Sequence, residues 1–334
     1  MRSLIALALV ASTCACGGKT DTPGTTSPAG APLAADQVVF DSTRASANRE
    51  IFAMKTDGSG IQRLTSNSAY EHWWPRISPD RKKILFYRRP AGVTSDDYAQ
   101  ASLWVMSADG SGVTQLLAQG ANGWSMQGHA EWSPDGTRIA MFGSFNATLQ
   151  IFVTDATGGN PVRYTNQPGI NTDVSWSPDG SKLLFNGCPA SPCTPANYEI
   201  FVMSATAPLS VPTRLTSDGL ADYDPYFSPD GSMVAWLTNT NPAANGGLGS
   251  WGIRMADIGG APVISLSNVR TLIDDGQINS KPAWSLDGSA LFFHRINFAE
   301  EARFGVFKIR SDGTQTQPSR LTPVGTGVNE FPAN

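Results

Sequence analysis

The chain has 334 residues, a formal net charge of -4 and only 16% charged residues. Lys and Arg are scattered along it and form no stripe, so the electrostatic footprint of phosphate-backbone binding is missing and nucleic acid is excluded as a partner. The 33 Gly and 23 Pro residues, in a sequence without long stretches of helical periodicity, predict short strands and tight turns almost throughout.

The first sixteen residues predict an export signal. Arg2 supplies a positive start, and the apolar run at residues 4 to 10 is well short of the roughly 20 residues that span a bilayer. Small residues then lead into Cys14 and Cys16, as they do in bacterial lipoprotein signals. Cys16 is favoured as the lipidated N-terminus, with Cys14 as the alternative, and an ordinary secretory signal is the other reading. Each reading predicts an exported protein in the periplasm or at the cell surface.

Residues 17 to 36 are Gly, Pro, Ser, Thr and Ala with almost no large apolar side chain, which predicts an unfolded tether. The predicted folded domain is then 37–334. Within it, Cys188 and Cys193 flank a Pro-rich loop, and in an exported protein two such cysteines predict a disulfide.

One motif recurs five times. It consists of an aromatic or apolar residue, Ser, Pro or Leu, and Asp, and in four of the five copies Gly follows. The turns are Ser78–Asp80, Ser133–Gly136, Ser177–Gly180, Ser228–Gly231 and Ser285–Gly288. A β-rich run follows each one, so the motif predicts a hairpin turn between the first and second strands of a repeat.

A third strand, typified by Ile200-Phe201-Val202-Met203, follows in every repeat. Asp-Gly turns then lead to a fourth strand, predicted at Arg63-Leu64-Thr65, Arg214-Leu215-Thr216 and Arg320-Leu321-Thr322. The predicted unit is a four-stranded antiparallel sheet of about 50 residues, the size of a propeller blade.

The ends of the repeat series predict a closed ring. The first repeat begins at Val38 with a second strand, and the C-terminal stretch Asn329–Asn334 matches the segment that precedes each Ser-Pro-Asp turn. Pairing of the two ends would complete a sixth blade and remove exposed sheet edges. The predicted fold is therefore an all-β, six-bladed β-propeller.

The Trp-Ser-Pro-Asp-Gly phrase, the Ile-Phe-Val-Met strand and the Arg-Leu-Thr strand resemble the repeats of TolB-like propellers over residues 38 to 334. That resemblance implies a role in Tol-Pal envelope complexes, in surface glycan uptake, or as the non-catalytic half of a prolyl oligopeptidase. TolB carries an additional N-terminal α/β domain, for which the sequence shows no room between tether and first blade. No hydrolase domain is expected after the last blade.

Strand direction places the short Ser-Pro-Asp-Gly and Asp-Gly turns on one face of the disc, the short-turn face. The longer second-to-third strand loops and the blade connectors share the other face, the loop-rich face, where a partner is expected to bind. Twelve polar or aromatic residues of the innermost strands are predicted to line the channel mouth there: His72, Trp74, Gln127, His129, Asn171, Asp173, Asp222, Asp224, Asn279, Lys281, Asn329 and Phe331. Solvation of a water-filled hole and capping of the blades is the simpler explanation of the same pattern.

Catalytic, metal and cofactor chemistry finds little support in the sequence. The three histidines lack metal-site spacing, and no P-loop or dinucleotide fingerprint is present. Asp173, Asp222 and Asp224 could hold a hard cation, but without a recognised loop motif no metal is predicted. Trp132, Trp176 and Trp284 have a fixed place before each turn and predict blade packing. The remaining candidates for ligand contact are Trp73, Trp74, Trp124 and Trp251.

The sequence thus favours a monomeric, non-catalytic scaffold that is attached to a membrane only through its lipid and binds an envelope protein or peptide segment. A carbohydrate-binding protein or carbohydrate-active enzyme that uses the channel mouth is the alternative.

Overall fold

A computed structural model describes residues 30–92, 98–188, 192–194, 197–260, 264–296, 304–323 and 329–333. The side chains of residues 329 to 331 are outside this description. The predicted signal segment with Cys14 and Cys16, and residues 17 to 29 of the tether, also lie outside the described residues. The prediction of an unfolded tether is wrong for residues 30 to 36, because Leu33 is buried against Ile77 and its backbone N–H donates to the Arg81 carbonyl.

The described residues form 24 strands and three single helical turns. The turns are 3-10 helices at Tyr98–Gln100 and Ala121–Gly123, and a short α1 at Ala244–Gly247. The strands are β1 Gln37–Ser42, β2 Glu50–Lys55, β3 Gln62–Arg63, β4 Tyr70–Ile77, β5 Lys83–Pro90, β6 Ser102–Ser107, β7 Thr114–Leu117, β8 Gln127–Trp132, β9 Arg138–Phe145, β10 Thr148–Asp155, β11 Val162–Arg163, β12 Asn171–Trp176, β13 Lys182–Gly187, β14 Glu199–Ser204, β15 Thr213–Arg214, β16 Asp222–Phe227, β17 Met233–Asn241, β18 Ser250–Ile258, β19 Leu266–Ile273, β20 Ile278–Trp284, β21 Ala290–Ile296, β22 Phe304–Arg310, β23 Ser319–Arg320 and β24 Asn329–Ala333.

Four sheets have four strands each, in the orders β24-β1-β2-β3, β4-β5-β6-β7, β8-β9-β10-β11 and β12-β13-β14-β15. A fifth sheet runs from β16 to β18 and from β20 to β23, with β19 paired to β18. Its two parts meet at one parallel pair, Trp251 with Ile278. The predicted all-β fold with four-stranded antiparallel blades is confirmed.

The C-terminal strand pairs with the N-terminal one. β24 lies antiparallel to β1, with Asn329 opposite Ser42 and Ala333 opposite Val39. Along the inner strands, β24 contacts β4 and β20, β8 contacts β4 and β12, and β16 contacts β12 and β20. The described inner strands therefore contact one another in succession.

The predicted hairpin turn is confirmed in each repeat. In every one the Ser hydroxyl donates to the Asp two residues on, at 2.6 Å. That hydroxyl also accepts the backbone N–H at the start of the second strand, as Arg138 N–H donates to Ser133 Oγ at 2.9 Å. Gly136 closes the turn at φ 69°. The first repeat has Arg81 at this position, at φ 59°.

The fourth strands are shorter than predicted. Those of the three predicted Arg-Leu-Thr segments end at the Arg, at Arg63, Arg214 and Arg320. The Thr that follows is not part of the ladder because its hydroxyl accepts a backbone N–H of the third strand, as Thr65 does from Ile51 at 2.9 Å. A side-chain hydrogen bond thus replaces the last rung of the sheet.

The apolar core lies between neighbouring sheets. One cluster, for example, joins Phe142 of β9 to Trp176 of β12 and Phe185 of β13. Burial of each such side chain stabilises the fold by about 2–3 kcal/mol. Trp132 and Trp284 are buried in equivalent clusters, which confirms the predicted packing role of these tryptophans. The indole of Trp176 also donates to the Glu131 carbonyl of the preceding sheet at 3.3 Å.

Candidate functional site

A β-bulge interrupts the innermost strand of the described repeats. In β4, for example, the register with β5 shifts between Trp73 and Arg76. The bulge residue has left-handed backbone in five strands, although none is Gly: Trp74 (φ 57°), His129 (φ 55°), Asp173 (φ 49°), Asp224 (φ 50°) and Lys281 (φ 54°). Such backbone is unfavourable for non-Gly residues and persists only where surrounding contacts enforce it.

These five residues form one contact network, here called the axial cluster. The Trp74 and His129 rings stack in parallel, with centroids 4.0 Å apart. Lys281 Nζ lies 4.2 Å from the centroid of the Trp74 ring. The same ammonium donates to Asp224 Oδ1 and lies 3.3 Å from Asp173 Oδ1, which in turn pairs with His129 Nδ1. Five of the twelve predicted channel-mouth residues are thus brought together.

Burial sets the protonation of the cluster. Burial raises the pKa of Asp224 to about 7, and the neighbouring Asp173 carboxylate adds to the shift. Burial alone would raise the pKa of Asp173 too, but the His129 and Lys281 charges lower it well below its usual range. Burial lowers the pKa of His129 to about 4. Near neutral pH we therefore expect ionised Asp173 and neutral His129, with Asp224 partly protonated.

A second layer of side chains lies beside the axial cluster. Arg76 pairs with Glu131, and its Nη2 donates to the Tyr226 hydroxyl at 3.0 Å. Tyr226 donates in turn to Glu131 Oε1 at 3.1 Å. The Arg76 guanidinium also stacks on Trp74, 4.4 Å from the centroid of the ring, which joins the two layers. Sequence reasoning missed these three residues, although each stands two positions before a turn serine.

Five of the other channel-mouth candidates lie within the first three positions of the inner strands, and their side chains bond outward into the sheets and the connecting segments. His72, Gln127, Asn171, Asp222 and Asn279 are all buried. Their contacts are His72 Nδ1 with Glu50 at 3.0 Å, Gln127 Nε2 to the Ala118 carbonyl at 2.8 Å, Asn171 Nδ2 to Gln150 at 3.2 Å and Asn279 Nδ2 to the Trp251 carbonyl at 2.7 Å. Asn329 and Phe331 lie in β24, and their side chains are outside the described part of the chain.

Asp222 is separate from the two carboxylates of the axial cluster. Its Oδ1 accepts from the Trp236 indole at 3.1 Å and from the Thr238 hydroxyl at 2.6 Å. Burial raises the pKa of Asp222 to about 7. The three aspartates do not form one cation site, because Asp222 bonds within its own sheet and the Lys281 ammonium already contacts the other two. Across the described ranges, no group of three or more His, Cys, Asp or Glu residues is placed to hold a metal ion.

The off-register tryptophans are mostly core residues. Trp73, Trp74 and Trp124 are 1%, 1% and 5% exposed. The prediction that they offer ring faces to a ligand is wrong for these three, because neighbouring side chains already cover them. Trp251 is half-buried, and its indole donates to the Leu248 carbonyl at 2.9 Å.

Trp251 belongs to a row of half-buried aromatic residues, here called the aromatic row: Tyr198, Tyr223 and Trp251. Tyr198 and Tyr223 stack with centroids 4.9 Å apart, and Trp251 meets Tyr223 edge to face at 5.5 Å. All three stand at strand starts on the loop-rich face. Burial raises the pKa of Tyr223, and the neighbouring Tyr198, Asp173 and Asp224 add to this shift. Tyr223 directly precedes Asp224 in β16, so the row adjoins the axial cluster.

The predicted cysteine pair is present as a disulfide. Cys188 and Cys193 are joined, with 5.7 Å between their Cα atoms. The bond closes the loop between β13 and β14, on the loop-rich face, and the aromatic row begins at the end of that loop.

Two curated proteins are similar to about half of the chain. The chain is 26% identical over 169 residues to an uncharacterized protein of Agrobacterium fabrum, across 49% of this chain and 53% of that protein. It is 31% identical over 175 residues to Dipeptidyl-peptidase 5 of Porphyromonas gingivalis, across 48% of this chain and 22% of that protein. The chain thus spans about half or less of these curated relatives. No protein-family profile matches it.

Solved structures are similar over much more of the chain. TolB from Acinetobacter baumannii superposes with a TM-score of 0.68 at 18% identity, over 89% of this chain and 66% of that one. The fold is a β-propeller. A candidate TolB from Agrobacterium tumefaciens is similar to the propeller with a TM-score of 0.59 at 18% identity, over 86% of this chain and 88% of that one. At this identity the likeness extends to the TolB-like propeller fold alone.

The described helices of the propeller are single turns, and none of them is long and apolar enough to cross a membrane.

Proposed function

We propose that the chain is an exported lipoprotein, anchored through Cys16, whose β-propeller is a non-catalytic scaffold for a protein or peptide segment of the bacterial cell envelope. The observation that carries the proposal is the aromatic row beside the axial cluster on the loop-rich face. Half-buried Tyr and Trp side chains are the residues most enriched where proteins bind one another.

The proposal includes a closed ring of six blades formed by residues 37–334. The pairing of β24 with β1 and the successive contacts of the inner strands support it. The eight-stranded sheet counts as two blades in this proposal, because a single parallel pair joins its halves.

The proposed contact surface is the loop-rich end of the inner strands, where the twelve channel-mouth candidates stand. The axial cluster would form its floor, and the Lys281 side chain, 12% exposed, is the least buried of the cluster's charged groups. The aromatic row would form one wall. Tyr and Trp rings offer large contact area at a small cost in conformational entropy, which suits them to a partner of extended or irregular shape.

A binding role fits the chemistry of the axial cluster better than catalysis. Asp173, Asp224, His129 and Lys281 pair with one another, so their side chains already have partners inside the fold. The name of the Porphyromonas gingivalis relative indicates a peptidase, but the alignment covers less than a quarter of that protein.

Site-specific photocrosslinking tests the proposal in living cells. The full-length protein carries p-benzoylphenylalanine in place of Tyr198, or in place of exposed Leu286 on the short-turn face as the matched control. We expect protein adducts from the Tyr198 position and not from the Leu286 position, and we expect Trp251→Ala to reduce the adduct yield at least fivefold. Equal adducts from both faces would overturn the proposed contact surface.

A sugar-binding experiment distinguishes the scaffold from the carbohydrate-binding alternative. The purified propeller is titrated with envelope-derived oligosaccharides, with tryptophan fluorescence as the readout. Saturable binding that Trp251→Ala abolishes, together with an absence of protein adducts, would establish a carbohydrate-binding protein in place of the scaffold.

A further inference from the structure

Residues 30 to 36, here called the strap, lie against the short-turn end of the β4-β7 sheet. The Leu33 side chain is buried in the same core cluster as Ile77, Met106 and Ala108. Its backbone N–H donates to the Arg81 carbonyl at 2.9 Å. The strap then enters β1 at Gln37, so it is an ordered part of the fold.

Arg81 is the residue that holds the strap. Its guanidinium donates to three backbone carbonyls: from Nε to Leu33 at 3.0 Å, and from Nη2 to Ala34 at 2.8 Å and to Gln37, the first residue of β1, at 2.7 Å. Charged hydrogen bonds to backbone oxygens are among the stronger ones in proteins, and the forked guanidinium can satisfy several at once.

The position of Arg81 makes this contact specific to the first Ser-Pro-Asp turn. The four equivalent turns have Gly136, Gly180, Gly231 and Gly288 at this site, all at positive φ. Arg81 takes the same left-handed backbone, which is sterically unfavourable for a residue with a Cβ. The three hydrogen bonds from Arg81 to the strap and to Gln37 help to offset this unfavourable backbone.

The beginning of the strap is fixed at a second short turn. The Asp109 pKa is lowered, chiefly by the Ser111 hydroxyl and backbone N–H and also by a backbone hydrogen bond from Gly30. Asp109 belongs to the turn between β6 and β7. The strap therefore crosses from one short turn to another before it enters the sheet.

We infer that the short-turn face lies toward the membrane and that the Arg81 contact presents the loop-rich face outward, to a partner in solution or on another envelope component. The inference rests on the lipid anchor of the proposed function. The Gly, Ser, Thr and Pro composition of residues 17 to 29 predicts a root-mean-square reach of about 20 Å for the proposed tether. The eight-residue β4 alone is about 27 Å long, so a tether that leaves from the short-turn face holds that face nearer the anchor.

Energy transfer to the bilayer tests the orientation. The lipidated full-length protein is placed in phospholipid nanodiscs that contain an acceptor-labelled lipid. A donor dye is attached at Leu286→Cys on the short-turn face or at Ala243→Cys on the loop-rich face, both exposed positions. We expect at least twofold higher transfer efficiency from the Leu286→Cys site. Equal transfer, or higher transfer from Ala243→Cys, would overturn the orientation and leave the anchor intact.

Arg81→Gly tests the contact itself, because it restores the residue that the other turns carry and so preserves the hairpin. We expect amide hydrogen exchange at Leu33 and Gln37 to quicken at least tenfold in this variant, and the difference in transfer between the two labels to shrink. Unchanged exchange would refute the role of Arg81. An absence of transfer from either label in the unaltered protein would refute the anchor, and the inference with it, whereas the crosslinking result decides partner binding separately.

Discussion

Replacement of Asp222 by Asn should change how the stability of the propeller depends on pH. Asp222 is fully buried at the start of β16, and burial raises its pKa from 3.8 to about 7. In the unfolded chain the same carboxyl returns to about 4. The folded state therefore binds a proton that the unfolded state releases across this pH range.

The sign of the effect follows from proton linkage. Because the folded-state pKa is raised, the contribution of Asp222 to the unfolding free energy is fully present below about pH 4 and is lost as the pH rises to about 7. A shift of roughly three pKa units corresponds to about 4 kcal/mol of unfolding free energy. Asn does not titrate, and its carbonyl can accept the same bonds from Trp236 and Thr238. Between pH 4.5 and pH 8, we expect the unfolding free energy of Asp222→Asn to rise by up to about 4 kcal/mol relative to that of the unaltered protein.

Urea unfolding followed by tryptophan fluorescence at several pH values measures this difference. Asp218→Asn is the matched control, since Asp218 is an exposed carboxylate paired with Arg254 and should contribute less than about 1 kcal/mol at any of these pH values. The raised pKa of Asp224 adds a similar pH dependence to the unaltered protein and to both variants, so stabilities are compared at each pH. Parallel stability curves for Asp222→Asn and the unaltered protein would refute the reasoning.

Two further predictions, each with a matched control variant, concern the packing of the blades. Gly110 is at φ 87°, and an added Cβ would collide with the Leu64 carbonyl, so Gly110→Ala should lower the unfolding free energy by about 3 kcal/mol. Gly313→Ala, with the same backbone strain but open space around it, should cost about 1 kcal/mol, and an equal loss in both variants would exclude the steric explanation. Glu131→Gln should cost about 3 kcal/mol by leaving the buried Arg76 without its counter-charge, whereas methionine at both positions should recover much of that loss in the same unfolding assay. If the double variant is no more stable than Glu131→Gln, the ion pair between Arg76 and Glu131 stabilises the fold directly.

The repeat and its turns could be predicted from sequence because their chemistry is local. The Ser133 hydroxyl, the Asp135 carboxylate and the positive φ of Gly136 lie within four residues of one another, and the same bonds recur in every repeat. The fourth strands were predicted too long for an equally local reason: the Thr65 hydroxyl competes for a backbone N–H that the ladder would otherwise use.

The candidate site was only partly predictable. Counting in steps of two places His72 and Trp74 on the same face of an uninterrupted strand. The bulge after Trp73 adds a residue and breaks that alternation, so His72 bonds to Glu50 while Trp74 stacks on His129. A bulge built on Trp, His, Asp or Lys has no sequence signature, because these residues adopt left-handed backbone only when the fold imposes it.

The sequence by itself determined the all-β class, the four-stranded antiparallel unit, the hairpin turns and the cysteine pair, since each depends on residues close together in the chain. Only the tertiary structure decided which polar residues reach the axial cluster, which tryptophans are covered, and that Arg81 holds the strap. Those features depend on pairs such as Lys281 with Asp173, more than a hundred residues apart, whose meeting is set by the packing of separate sheets and by no local pattern.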